Sequence, residues 1–376
     1  MMDLWVVLLI AYLFEFANGW TDAPNSIATA VSTRVLRPLQ AVLMAGVLNL
    51  LGALAGVQVA KAIASGIVDP EFVDLTTIAA AVLGATLWAL GAQYFGLPSS
   101  ESHALVAGLL GAGYAAAGTA GLEWDGTRKS LIGLVTSPVG GFFLALLLMV
   151  AIYWGFRRYR PSAIRRIFGK AQIVSAAFMA FSHGTNDAQK TMGIVALAIY
   201  LNENPGQAPP EEFPIATWII VSCAIVMGLG TMVGGWRVIR TLGLRLTRLE
   251  PVQGFAAETG AAAVIFGAAQ VGVPVSTTHA IGSAIMGVGA TERLSAVRWG
   301  VARDVVTAWI LTWPSCALLG YVLQKLFDVL YPPLVLVVVL SGAFALLGLA
   351  FFRQRRESSS SLAAGPTTAP SQTSRV

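Results

Sequence analysis

Seven stretches of this chain, near 39–60, 75–95, 130–154, 215–236, 253–272, 299–325 and 333–352, stay apolar for about the 20 residues a helix needs to cross a hydrocarbon core. In lipid every backbone N–H and C=O must be satisfied within the protein, so segments of this length imply helices rather than irregular chain or open sheet. Composition agrees: 56% hydrophobic and 11% charged residues leave too little charge for a water-facing surface. The sequence therefore predicts an all-α, polytopic helical membrane protein. Residues 4–17 have no basic segment before them, Glu15 interrupts them, and no small-residue cleavage site follows, so they are read as the start of a helix and not as a signal peptide. Cys223 and Cys316 both fall inside apolar runs and are read as small core residues. The net charge of +5 comes from Arg and Lys between apolar runs, where topology accounts for it; nucleic acid is not a partner.

Two polar stretches break the pattern, NGWTDAPNS at 18–26 and HGTNDAQKT at 183–191. They align at an offset of 165 residues as Gly19/Gly184, Asp22/Asp187, Ala23/Ala188 and Ser26/Thr191. A carboxylate in the middle of a membrane helix costs about 2.5–3.5 kcal/mol on insertion scales, so it faces a cavity, a partner or an ion. Gly19 and Pro24 disfavour an unbroken helix, and a discontinuous one is expected there. A second pair follows: LPSSESHALVAGLLGAG at 97–113 and VPVSTTHAIGSAIMGVGA at 273–290, matched as Pro98/Pro274, Ser100/Ser276, Ser102/Thr278, His103/His279 and Gly111/Gly287, now at an offset of 176. The loop at 201–214 absorbs the difference.

The domain reading is a first repeat over 1–156, a basic cytoplasmic loop over 157–170 with six Arg or Lys and no acid, a second repeat with a final helix over 171–352, and a disordered Ser/Thr/Ala/Pro tail over 353–376. Five crossings in the first half are an odd number, which starts the second half on the opposite side. An outside N-terminus then puts Arg34/Arg37, 157–170, 237–248, Arg293/Arg298 and RQRR at 353–356 inside, with Arg128/Lys129 clearly outside. This is an inverted-topology repeat of about 10–12 membrane passes, with discontinuous helices or re-entrant hairpins, as in many secondary transporters.

Each matched stretch carries its own chemistry. Ser99, Ser100, Ser102, Ser276, Thr277 and Thr278 follow prolines, and hydroxyls beside free N–H groups at a helix start suit a tetrahedral oxyanion; the same residues also suit helix caps. Asp22, Asn25, Asn186 and Asp187 offer hard oxygen ligands for a cation such as Na+, or a carboxylate for a proton. Lys190 aligns with Asn25, so the halves differ in charge at this position; it neutralises an aspartate or faces the anion. His103 and His279 are candidates for a proton relay or for orienting the turn. Glu101 has Thr277 as its repeat partner and is expected on the accessible side; Glu15 is read as a solvated or paired helix-end residue.

Together, NGWTDAPNSIATAVSTRVLRP at 18–38, PSSESHAL at 98–105, HGTNDAQKTMG at 183–193 and VPVSTTHAIGSAIMG at 273–287 resemble the low-affinity inorganic phosphate transporter family, in particular its bacterial branch. The resemblance runs from about 10 to 325. It implies a secondary transporter in the cell membrane, without an organic cofactor, that imports phosphate, alone or as a metal–phosphate complex, with H+ or Na+. It assigns the coupling cation to Asp22, Asn25, Asn186 and Asp187, with the two aspartates as Na+ ligands, and phosphate to the six Ser/Thr residues. Similar bacterial members read NGFHD where this chain has NGWTD, so no proton relay passes to Thr21. An intramembrane lipid-phosphate phosphatase needs a nucleophile–base pair and normally an arginine clamp, and no arginine lies in the polar stretches 18–26, 98–105, 183–193 or 273–287. Another oxyanion such as sulfate is the closer alternative; hydrogen phosphate differs in being able to donate a hydrogen bond to a carboxylate. The assembly considered is a homodimer.

Overall fold

The computed structural model describes residues 2–208, 210, 212–330, 334–337, 339 and 341–342. Helices account for nearly all of it: α1 (Leu4–Ser32), α2 (Pro38–Ala53), α3 (Gln58–Gly66), α4 (Leu75–Phe95), α5 (Glu101–Ala117), α6 (Trp124–Phe156), α7 (Pro161–Glu203), α8 (Thr217–Val233), α9 (Trp236–Arg240), α10 (Pro251–Gln270), α11 (Thr277–Glu292) and α12 (Trp299–Val329). A π-turn over Thr241–Arg245 extends α9. Contacts group Met1–Pro332 into one unit and Pro333–Val376 into another. The expected tail at 353–376 lies outside the described residues, as does most of the expected final helix at 333–352.

The element order repeats. A long helix with the Asp motif (α1, α7) is followed by a bent pair, α2 with α3 at 69° and α8 with Trp236–Arg245 at 59°. A helix without a motif comes next (α4, α10), then the helix opened by the hydroxyl turn (α5, α11), then a long helix with an internal proline, Pro138 in α6 and Pro314 in α12. The helices α1, α4, α5 with its following turn, α6, α10 and α12 are long and apolar enough to span a bilayer, and the two bent pairs qualify as broken spans. Of their repeat partners, α7 carries its polar motif in mid-helix and so has lower hydropathy, and α11 is only 16 residues long.

Packing crosses between the halves. The hydroxyl helix α5 packs most extensively on α12, and α11 on α6; α1 packs most on α8, while α7 packs on α10 of its own half and then on α2. The central α4 is buried over most of its length, whereas α6 and α12 turn apolar faces outward through residues such as Val135, Phe143, Leu147, Ile310, Leu318 and Val322. Those faces meet lipid.

Two expectations need correction. The Asp motifs do not interrupt their helices: α1 runs through Pro24, and α7 is unbroken for 43 residues. The breaks fall instead at 54–57, at Gly234–Gly235 and before the hydroxyl turns. Losing the hydrogen bond to the Trp20 carbonyl at Pro24 costs about 3 kcal/mol and each glycine about 1, and this is outweighed by burial along both helices. The motif glycines serve close approach. A Cβ on Gly19 would lie 2.5 Å from the Met227 carbonyl oxygen of α8, and one on Gly184 would lie 2.2 Å from that of Asn49 in α2. Second, the basic stretch 157–170 is loop only to 160; Pro161, with its φ preset for a first turn, opens α7.

Candidate functional site

The hydroxyl turns end in matched caps. Ser100 Oγ accepts from the His103 N–H and Ser276 Oγ from the His279 N–H, each at 3.2 Å. Both serines have extended backbone, and each preceding proline keeps the chain out of the helix until the cap. Each cap uses the serine oxygen as acceptor and leaves its O–H free to donate. The first N–H groups of two helices thus stand beside free hydroxyl donors, with Ser99 buried in the same turn.

Beside these turns α1 crosses α7. Asn25 Nδ2 donates to Thr278 Oγ1 (2.9 Å) and Thr277 Oγ1 (3.2 Å). Thr278 in turn donates to Asp22 Oδ1 at 3.1 Å, and Thr277 to Asp187 Oδ2 at 2.9 Å. One turn of α11 therefore ties both aspartates together. The O–H groups of Thr277 and Thr278, expected on phosphate, are spent on the carboxylates. Lys190 Nζ donates to Asp187 Oδ1 and to Ser102 Oγ, and Ser102 passes its own proton to the Val275 carbonyl at 2.9 Å. Lys190 is 1% exposed, so its ammonium faces the site and not an interface.

Two acids depart from expectation. Glu101 is buried and accepts from Thr21 at 2.7 Å. Glu15 is fully buried and accepts from Thr191 Oγ1. In each case a helix crossing, invisible in the local sequence, covers the side chain. The two histidines approach ring to ring, centroids 4.3 Å apart, with His279 stacked on Trp309 at 4.0 Å. Trp309 Nε1 donates to the Pro98 carbonyl at 3.0 Å, so α12 pins the first hydroxyl turn.

The structure also adds residues. His183 Nδ1 is 3.0 Å from Asn49 Oδ1 and Nε2 is 3.1 Å from Asp187 Oδ2. Donor groups of Asp22, His183 and Asp187 lie within 4.8 Å of one another, close enough to share a cation. Asn186 is buried with neither amide atom paired in the protein, and the buried Asn25 Oδ1 is likewise unpaired. Buried polar atoms are normally satisfied, so this concentration fits a site that takes polar ligands. Asn18 and His183 share the 165-residue offset and stand one residue before each motif glycine, a signal the sequence carried. Apart from this cluster, Glu258 of α10 accepts from Thr29, Ser175 and, at 3.1 Å, Gln172. Its signal was a lone acid inside an apolar run.

The sequence matches the family model described as "Phosphate transporter family" over residues 18–164 and 156–320. It is 46% identical over 315 residues to a "Probable low-affinity inorganic phosphate transporter" of Rhizobium meliloti (strain 1021), covering 84% of this chain and 93% of that protein. Over 328 residues it is 40% identical to a protein of the same description from Bacillus subtilis (strain 168), covering 87% and 97%. Among solved structures, "The sodium-dependent phosphate transporter" is similar with a TM-score of 0.81 at 25% identity, over 88% of this chain and 100% of that one.

Proposed function

The chain belongs to the phosphate transporter family, and from that premise we propose that it imports inorganic phosphate, free or as a metal–phosphate complex, by symport with Na+ or H+. The observation that carries this reading is the joining of two capped hydroxyl turns to two buried aspartates, the α11 turn through Thr277 and Thr278 and the α5 turn through Ser102 and Lys190. An anion at the helix starts and a cation at the carboxylates would then stabilise each other in a medium of low dielectric, which is the physical basis of coupling. Phosphate goes to the turns formed by Ser99, Ser100, Ser102, Ser276, Thr277 and Thr278, where the free Ser100 and Ser276 hydroxyls and the first backbone N–H groups donate to it while Ser102, Thr277 and Thr278 orient Lys190 and the carboxylates; Lys190 faces it, and the coupling cation goes to Asp22, Asn25, Asn186 and Asp187. His103 and His279 hold the two turns against each other through their rings. The halves are inverted relative to each other, with the N-terminus outside and the Arg-rich segments inside. A solved relative described as sodium-dependent makes Na+ the first cation to test. Uptake of labelled phosphate into proteoliposomes, under separately imposed sodium and proton gradients, is expected to respond to one of them and to resist competition by sulfate. Uptake indifferent to both gradients, or blocked equally by sulfate, would overturn the reading.

A further inference from the structure

The two aspartate motifs, equivalent by repeat, are unlike in charge and in bonding. Asp187 has both oxygens occupied: Oδ1 by the Lys190 ammonium, and Oδ2 by the Thr277 hydroxyl at 2.9 Å. Asp22 has its one hydroxyl donor, Thr278, on Oδ1. On its other side the carboxyl groups of Asp22 and Glu101 face each other within hydrogen-bonding range. Glu101 Oε1 takes the Thr21 hydroxyl, while its buried Oε2 has no donor in the protein. Two carboxylates held face to face in a dry interior need either a shared proton or a metal cation between them.

The asymmetry follows from two positions of the sequence. Lys190 stands where the first half has Asn25, and Glu101 stands where the second half has Thr277. The Asp22 side gathers two acids, and the Asp187 side one acid with one ammonium. We infer that a single sodium ion binds on the Asp22–Glu101 side, and that Lys190 is the permanent, covalently tethered counter-charge of Asp187, so that Asp187 exchanges no ion. The ligands are oxygens throughout: the two carboxylates and the unpaired Asn25 Oδ1, a hard set suited to a small alkali cation. This assignment rests on the symport reading and revises it at one residue: Asp187, although its oxygens lie within 4.8 Å of those of Asp22, is withdrawn from the cation ligands proposed above because Lys190 already holds it, which leaves one ion at the paired motifs.

The test is binding of radiolabelled sodium to the purified, full-length protein, with choline as the balancing ion. About one sodium per chain is expected of the unmodified protein, and about two would overturn the assignment; this arm needs no variant to fold. Asp22→Asn should weaken sodium binding on the order of 100-fold, and Glu101→Gln about 10-fold, in line with lost charged contacts. The charge-conserving double replacement Asp187→Asn/Lys190→Asn should keep sodium affinity within about threefold, since in it a neutral pair replaces an ion pair. Loss of sodium binding in that double variant as complete as in Asp22→Asn, in protein that still elutes as a single species, would overturn the assignment. Phosphate uptake separates the two claims. Proton-driven uptake without sodium binding sinks the sodium site and leaves the transporter, whereas sodium binding of this pattern without uptake sinks the transporter and leaves the site.

Discussion

Ser100 and Ser276 each cap a helix with the oxygen lone pair and keep a proton to give away. Replacing either by alanine should therefore show twice: as about 1 kcal/mol of lost stability from the cap, and as a several-fold rise in the KM for phosphate, worth about 1 kcal/mol per hydrogen bond. Thermal unfolding in detergent and uptake kinetics measure the two separately, and an unchanged KM would leave the serines as caps alone. Lys190→Met removes the partner of a fully buried carboxylate, a change that costs about 3–5 kcal/mol when one member of a buried pair is lost. Phosphate affinity should fall steeply, and Lys190→Arg should restore part of it, because a planar guanidinium cannot sit on Asp187 and Ser102 as a compact ammonium does. Wild-type affinity in Lys190→Met would remove this residue from the site. The charge difference between Asn25 and Lys190 was legible from the repeat. The burial of Glu15 and Glu101 was not, because it depends on Thr191 and Thr21, which other helices bring to them.

At the scale of the element, local cost at Gly19 and Pro24 predicts a break in the first Asp motif that the helix does not have. Helix propensity counts what Gly19 and Pro24 lose within α1 and omits what the chain gains by laying α1 on α8. The matched approaches at Gly19 and Gly184 lead to a paired expectation. Gly184→Ala would push a methyl group to 2.2 Å from a backbone oxygen and should destabilise by about 1–3 kcal/mol through overpacking. Gly155→Ala in α6 has nothing within 4 Å and should be neutral or stabilising by up to about 1 kcal/mol. Melting of the two variants side by side checks this; equal behaviour would mean that α7 and α2 do not approach as closely as described. The hydroxyl helices were foreseen from Pro98 and Pro274, because a proline followed by a capping serine is a local signal. The bend between α8 and α9 at Gly234–Gly235 was equally local, but it went unread inside a stretch taken as one apolar run.

The repeat was visible in the molecule as a whole, but its interleaving was not, since which half supplies the neighbour of α5 is a question of long-range packing. Because α5 lies on α12 and α11 on α6, neither half can close its own hydroxyl turn. Fragments 1–158 and 159–376, divided in the turn before α7, should each fail to bind phosphate and should regain binding when co-expressed and copurified. Binding by either fragment alone would contradict the exchange.

Lys190 also bears on how the protein meets a membrane potential. Any step that carries the site from one side of the bilayer to the other moves its unbalanced charge through the field, at about 2.3 kcal/mol per elementary charge per 100 mV. An ammonium fixed to α7 beside Asp187 cancels one such charge in every state of the cycle, loaded or unloaded. The unloaded return, which has no imported ion to offset the carboxylates, is therefore less opposed or hurried by voltage than it would be with asparagine at both repeat positions. If phosphate enters by the symport proposed above, the current per phosphate becomes a property written into residue 190.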